Sequence, residues 1–236
     1  MPPAFAPTRF RFTSGVRAGE VTTIRDGEGN DVLRYRSFAS VVPIVGALMA
    51  AIVLVTGAAA TLFLFMEGRV GAAIATIALS LGFSGIIAAL IPPVRVTLYN
   101  GETPALVIAE NSRIPFRAPT YVVATAEGEA LATLKRHALS RFGRTRWTID
   151  APIDQRGVAW AVEESLRKAM TRKVAGKFQR RFQTNIRIMH HGGAVGTIIR
   201  RPEESGEYDV LEVSPSATLD RRVAVALATL VFGSEP

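Results

Sequence analysis

Cysteine is absent from this chain. That excludes disulfide cross-links and thiolate metal sites, and it fits a reducing compartment. Histidine is scarce: His137, His190 and His191 are the three. Neighbouring residues of a strand point to opposite faces, so His190 and His191 do not share one ion unless a turn bends them together. No clustered acid assists them, and turn histidines are the simpler reading. No G-x-S-x-G, P-loop or dinucleotide fingerprint occurs. Ser165, Ser205 and Ser214 have no accompanying His/Asp arrangement that argues a nucleophile. The sequence therefore predicts a protein that is not an enzyme and uses no cofactor or metal.

The most informative absence is of charge. From Ser37 to Met66 no residue is charged, and Val70 to Val94 is equally free of charge. Only Glu67, Gly68 and Arg69 separate the two runs. A bilayer core needs about 20 apolar residues as helix, and each run clears that length. The stretch 38–93 thus predicts a transmembrane helical hairpin, with spans at 38–66 and 70–91. Neither span holds an ionisable residue of the kind a proton relay or ion path needs, so transport by these two helices alone is not expected. A signal peptide is not expected either, because the first apolar run begins only near residue 38 and outlasts an h-region.

What charge there is lies on both flanks. Residues 1–38 carry six Arg against four acids, and residues 94–236 carry 21 Lys and Arg against 15 acids. The net charge is +8. Two spans return the chain to its starting side. The positive-inside rule then places both termini and the soluble part in the cytoplasm, with Glu67–Arg69 outside. The expected location is the plasma (inner) membrane, and membrane lipids are the first expected partners.

Small residues are dense in both spans. Gly71 and Ala75, and Ala78 and Gly82, are spaced by four, which lets helices approach closely. The spacing fits tight packing within the hairpin or packing in a larger membrane protein complex. It also fits a chain rich in alanine and glycine throughout.

Outside the hairpin, short period-two segments recur between glycine-centred turns. Before it they are Phe10 and Phe12 alternating with arginine, Val21–Ile24 and Val32–Tyr35. These strands, within residues 1–37, form a meander or part of a larger sheet. After it come segments near 94–99, 105–109, 120–125, 130–135, 144–149, 158–163, 185–189, 195–200 and 208–213. The pattern is that of an all-β barrel or sandwich over residues 94–236. One interval breaks it. Glu164–Phe182 admits a short helix near Glu164–Met170 and a strand over Lys173–Phe178, and the sequence does not choose.

That interval is strongly basic, with Arg167, Lys168, Arg172, Lys173, Lys177, Arg180 and Arg181. It reads as a contact for an anionic lipid surface or an acidic partner, or as a solvated barrel face. Nucleic acid is not expected, since only Phe178 and Phe182 are interleaved as stacking aromatics. The last element differs in kind. Asp220 suits the first turn of a helix, and Val223–Phe232 follows without a charge. Ten residues are too few for a third span, and a helix apolar on every side is expected to be buried in protein.

The order of Arg146-Trp147-Thr148-Ile149-Asp150, Val195-Gly196-Thr197-Ile198-Ile199-Arg200, Tyr208-Asp209-Val210 and Leu219-Asp220-Arg221-Arg222 before an alanine-rich helix resembles the LURP-one-related and phospholipid-scramblase-like proteins, which share the tubby-like fold. The resemblance covers roughly residues 94–232. It implies a twelve-stranded barrel around a buried hydrophobic C-terminal helix, here 219–232, with the strands before the hairpin, 9–35, as candidates to complete it. The acidic calcium stretch of animal scramblases has no counterpart beyond Asp220, and no residue matches the phosphoinositide site of tubby proteins. Two functions from different classes follow. One is a non-catalytic, membrane-anchored interaction module or accessory subunit of a membrane complex. The other is phospholipid binding or scramblase-like lipid handling at the cytoplasmic face.

Overall fold

The structure is a computed structural model that describes residues 2–13, 20–36, 41–90, 93–111, 119–137, 140, 144–151, 158–169, 184–200 and 208–233. The chain divides into two compact units, Met1–Ala39 with Val94–Pro236, and Ser40–Pro93.

The first unit is a closed barrel of twelve antiparallel strands, consistent with a tubby-like fold. The strands are β1 (Arg9–Thr13), β2 (Val21–Asp26), β3 (Asp31–Arg36), β4 (Arg95–Asn100), β5 (Thr103–Glu110), β6 (Thr120–Thr125), β7 (Ala130–Arg136), β8 (Arg146–Asp150), β9 (Val158–Glu163), β10 (Ile186–His190), β11 (Gly193–Ile199) and β12 (Tyr208–Val213). Each pairs with its neighbours in sequence, and β1 closes the ring on β12 with Arg9 opposite Glu212 and Thr13 opposite Tyr208. Closure removes the exposed edges that an open sheet must protect. The strands before the hairpin are therefore a quarter of the barrel wall, and β3 pairs directly with β4 (Tyr35 opposite Leu98) across the inserted residues.

Alternation explains the wall. In β1 the arginines face out while Phe10 and Phe12 are fully buried. In β6, Tyr121 and Val123 turn inward, and in β8 Trp147 and Ile149 do. Burying one such large side chain stabilises the fold by about 1.5–3 kcal/mol. Eight strands enclose just enough space for side chains to fill, and sixteen leave a channel. Twelve leave an interior that strand side chains alone do not fill. One hydrophobic cluster joins the inward strand residues to the C-terminal helix, Arg221–Gly233.

Where walls approach closely, a side chain is excluded. A Cβ added at Gly196 of β11 would lie 2.8 Å from the Glu212 carbonyl oxygen on β12. That backbone atom is fixed by the ladder and cannot give way.

The C-terminal helix, α3, spans Arg221–Gly233 and is buried from Val223 to Val231. Its cap is read directly from its residues. The Asp220 carboxylate accepts the Arg222 N–H at 2.9 Å and also pairs with the Arg222 guanidinium at 2.6 Å. An acceptor at this position satisfies a helix-end N–H that has no partner in its own helix. Inside the helix, the buried Thr229 hydroxyl donates to the Val225 carbonyl at 2.9 Å, which leaves no unpaired polar group there. Phe232 stacks on Phe12 with ring centroids 4.9 Å apart, and the Arg221 guanidinium donates to the Ala6 carbonyl. The two ends of the chain are thereby joined through the first strand and the last helix.

Burial raises two tyrosines. The Tyr35 and Tyr121 phenols are both pushed up to about 12, chiefly by loss of solvent around the ionised form. In the unfolded chain each phenol ionises near 10, so above that pH the unfolded state sheds protons that the folded state keeps. Stability from these groups is complete below about pH 10 and is lost as pH rises toward 12. A phenolate absorbance titration of the folded protein should show two tyrosines ionising late, together with unfolding. Tyr35→Phe with Tyr121→Phe should move the alkaline unfolding midpoint upward. An unchanged midpoint would show that the burial does not matter to stability.

The second unit is a helical hairpin of α1 (Val41–Met66) and α2 (Val70–Leu90). The turn is specified by its residues. Gly68 has φ +76° and donates to the Phe65 carbonyl at 3.0 Å, while the Arg69 N–H donates to Leu64 at 2.9 Å. These are the two bonds of a Schellman motif, which glycine closes without the steric cost a side chain would meet. Helix α2 starts at once, with the Ala73 N–H donating to the Arg69 carbonyl.

Candidate functional site

Within the hairpin, the candidate surface is apolar. Leu48–Met66 and Val70–Ile87 are long and apolar enough to cross a membrane, and only 6% of each window is buried within the chain. Leu62, Phe63, Phe65 and Met66 on α1, and Leu79, Leu81, Phe83 and Leu90 on α2, are exposed. A core helix of a soluble protein hides such side chains, and helices that expose them call for an apolar solvent. The architecture is therefore membrane-associated.

The contact between the helices is made by small and hydroxyl residues. Gly57 is buried on α1, and Ala73 and Ser84 are buried on α2. A Cβ at Gly57 would overlap the Ser80 side chain. The Ser84 hydroxyl lies 3.3 Å from the Ala50 carbonyl, across the interface. The other hydroxyls return to their own helix: Thr61 to Gly57, Thr76 to Ala72 and Ser80 to Thr76. With every hydroxyl occupied, these residues cost little in an apolar setting.

Gly71, Ala75, Ala78 and Gly82 lie elsewhere. All four are exposed. At about 100° per residue they form one stripe roughly opposite the Ala73–Ser80–Ser84 face. The close approach of α1 and α2 does not use them, so the face they form is open to lipid or to another helix. Thr76, Ser80 and Ser84, hydroxyl residues spaced by four, were the sequence signal for the inner face.

In the barrel, the antiparallel order fixes which connections share an end. The chain leaves β3 at Arg36 and re-enters β4 at Arg95 on one end. The connections β1–β2, β5–β6, β7–β8, β9–β10 and β11–β12 run at that same end. The opposite end holds the short turns β2–β3, β4–β5, β6–β7 and β10–β11, the β8–β9 connection, and the start of α3.

The two ends differ in charge. At the hairpin-side end Arg36, Arg95, Lys135, Arg144, Arg146 and Lys168 are exposed. Among the described residues there, Arg167 and Arg187 are exposed too, against the exposed acids Glu20 and Glu164. Glu164 is engaged by Arg187 at 2.6 Å. At the far end the exposed acids are Glu28, Asp31, Glu102, Glu127, Glu129 and Asp150. Among the described residues there, Arg9 pairs with Glu212 at 3.4 Å, and Arg25, whose side chain is similarly exposed, pairs with Asp31 at 3.0 Å. Asp26 is lowered by the Asn30 side-chain and backbone bonds, and Glu127 by the Thr125 bond with a smaller contribution from Arg222.

Of the basic interval, Arg167 and Lys168 lie on a single helical turn, 166–169. Ser165 caps it: its hydroxyl accepts the Lys168 N–H at 3.3 Å and its carbonyl accepts the Ala169 N–H at 3.1 Å. Arg172, Lys173, Lys177, Arg180 and Arg181, and the strand considered over Lys173–Phe178, lie outside the described residues. Beneath this end is a buried polar layer in which the Thr145 N–H donates to the fully buried Glu163 carboxylate at 2.6 Å.

Two of the three histidines are hydrogen-bonded. His137 Nε2 lies 2.8 Å from the Thr148 hydroxyl, and His190 Nδ1 lies 2.6 Å from the Thr218 hydroxyl. His191 sits in the β10–β11 turn. Among the described residues no group of three or more His, Asp or Glu side chains is placed to hold a metal ion. An open groove of ≈ 440 Å³ on the outer wall, between Thr8, Gly196 and Pro215, is lined by the Arg9–Glu212 pair.

Fold and surface together define a class: a twelve-stranded antiparallel barrel carrying two apolar helices between adjacent strands. Compared with protein-family models, with curated proteins and with solved structures, the chain matches none of them.

Proposed function

We propose that this protein is a non-catalytic accessory or interaction subunit held at the cytoplasmic face of the plasma membrane by its helical hairpin. The observation that carries the reading is the insertion itself. A two-span anchor interrupts the chain between β3 and β4, yet these strands still pair with each other. An even number of spans returns the chain to one side, so a closed barrel and an inserted hairpin are compatible. The basic flanks favour the cytoplasmic side for that barrel. The resemblance to LURP-one-related and scramblase-like proteins supports a tubby-like barrel in which α3 serves as the central helix. The outward stripe of Gly71, Ala75, Ala78 and Gly82 offers a partner helix a close approach.

A second reading, phospholipid binding or scramblase-like handling, is favoured by the basic end and by Arg167 and Lys168 on it, with Arg172, Lys173, Lys177, Arg180 and Arg181 following in sequence. Extraction in mild detergent, affinity capture and mass spectrometry of bound protein and lipid tests both. A stoichiometric membrane protein is the expected companion. A monomer carrying no protein partner would overturn the accessory reading.

A further inference from the structure

The polarity of the barrel assigns its orientation on the bilayer. We propose that the hairpin-side end of the barrel docks on anionic lipid headgroups of the membrane that the hairpin spans, with the acidic end directed away. The proposal rests on the membrane-anchored reading and adds a partner surface to it.

Two observations combine. The first is charge: Arg36, Arg95, Lys135, Arg144, Arg146 and Lys168 are exposed at one end, and exposed carboxylates crowd the other. The segregation follows from topology, because alternate connections of an antiparallel barrel fall at alternate ends.

The second is tether length. Four residues separate Arg36 from Val41, and four separate Leu90 from Arg95. A chain extends at most about 3.6 Å per residue, so each strand end stays within about 18 Å of a helix end whatever the linkers do. Surface potential decays over a Debye length of about 10 Å at moderate salt. The strand ends at Arg36 and Arg95 are therefore held within about two Debye lengths of the helix ends, which gives the basic end a high effective concentration at the surface.

Repulsion completes the argument. Turned over, the barrel would present Glu102, Glu127 and Glu129 to a surface of the same sign. Orientation is thus set by attraction at one end and exclusion at the other.

The absence of native cysteine makes the test direct. Leu166→Cys, at an exposed position of the basic end, and Ala126→Cys, exposed beside Glu127 at the acidic end, each place one dye on the full chain without altering charge. The labelled chains are reconstituted into phosphatidylcholine vesicles, with or without phosphatidylglycerol, containing a headgroup spin label. Samples are compared where the barrel faces the labelled leaflet. The expected result is strong quenching at position 166 in anionic vesicles, weak quenching at 126, and loss of the difference in neutral vesicles or at raised salt. Replacing Lys135, Arg144, Arg146 and Lys168 by glutamine should lower the docked-to-undocked ratio by roughly fivefold per charge. Glu127→Gln with Glu129→Gln should not lower it, and circular dichroism checks that both variants stay folded.

Equal quenching at 166 and 126, or quenching at 166 indifferent to anionic lipid, would overturn the proposal while leaving the anchor intact. Release of the chain from vesicles by alkaline carbonate would overturn the anchored reading and the proposal with it.

Discussion

Ala226→Asp is expected to abolish folding of the barrel. Ala226 is fully buried, the fourth of nine consecutive buried residues of α3. Its neighbours belong to the same apolar cluster as Phe10, Leu98, Ile149 and Ile198. A carboxylate there is expected to have no cation to pair with and no water. An unpaired charge in such surroundings either stays protonated or forces the helix out, at a cost of several kcal/mol. That approaches the whole stability of an ordinary domain, about 5–15 kcal/mol. Limited proteolysis in detergent and far-ultraviolet circular dichroism should show a barrel cleaved throughout, with the hairpin still helical. Thr229→Val is the control. It removes a hydroxyl that donates to the Val225 carbonyl of its own helix, keeps the shape, and should change stability by about 1 kcal/mol or less. If Ala226→Asp folds with unchanged protease resistance, α3 is not part of the core.

The second large effect lies in the hairpin. Gly57→Leu is expected to part α1 from α2, because even a Cβ at this position overlaps Ser80. Helices in a membrane hold together through close packing, since lipid is as apolar as the side chains, and an intruding side chain has no hydrophobic gain to offset it. Overpacking of this kind costs about 1–3 kcal/mol. Cysteines at Ala50 and Ser84, whose hydroxyl and carbonyl lie 3.3 Å apart, should join readily through a short cross-linker in the parent chain. In the Gly57→Leu background the yield should fall roughly tenfold, the ratio that about 1.4 kcal/mol gives. Gly71→Leu, on the exposed face, should leave the cross-link unchanged. Equal loss from both would mean that the interface runs along the other stripe.

Much of the wall was legible because strand alternation is a local property. Phe10 and Phe12 set between arginines announce β1, and the segments at Thr120–Thr125, Val158–Glu163 and Tyr208–Val213 coincide with β6, β9 and β12. Ring closure was less accessible. The pairing of Arg9 with Glu212 joins residues about two hundred positions apart, and no periodicity carries information over that distance. The hairpin shows the complementary difficulty. Its length and lack of charge define two apolar spans, but glycine and alanine occur on every side of α2. Spacing by four is satisfied by more than one stripe, and only packing against α1, where Gly57 meets Ser80 and Ala50 meets Ser84, selects the inner one. The charged ends were hidden for a related reason. Arg36, Lys135 and Lys168 are far apart in sequence, and they share an end only once strand direction is known.

The insertion between β3 and β4 also sets a timetable for biogenesis. Residues 1–36 leave the ribosome before the hairpin, and β1 cannot meet β12 until nearly the whole chain has been made. The first three strands must therefore wait as an unclosed sheet, with β1 and β3 as unpaired margins open to mispairing. Entry of the hairpin into the bilayer would shorten that exposure. A freely moving segment of more than fifty residues would become a fixed staple, and β4 would be delivered next to β3 with little further loss of chain entropy. An anchor placed at either terminus would hold the protein to the membrane equally well. It would not bring these two strands together.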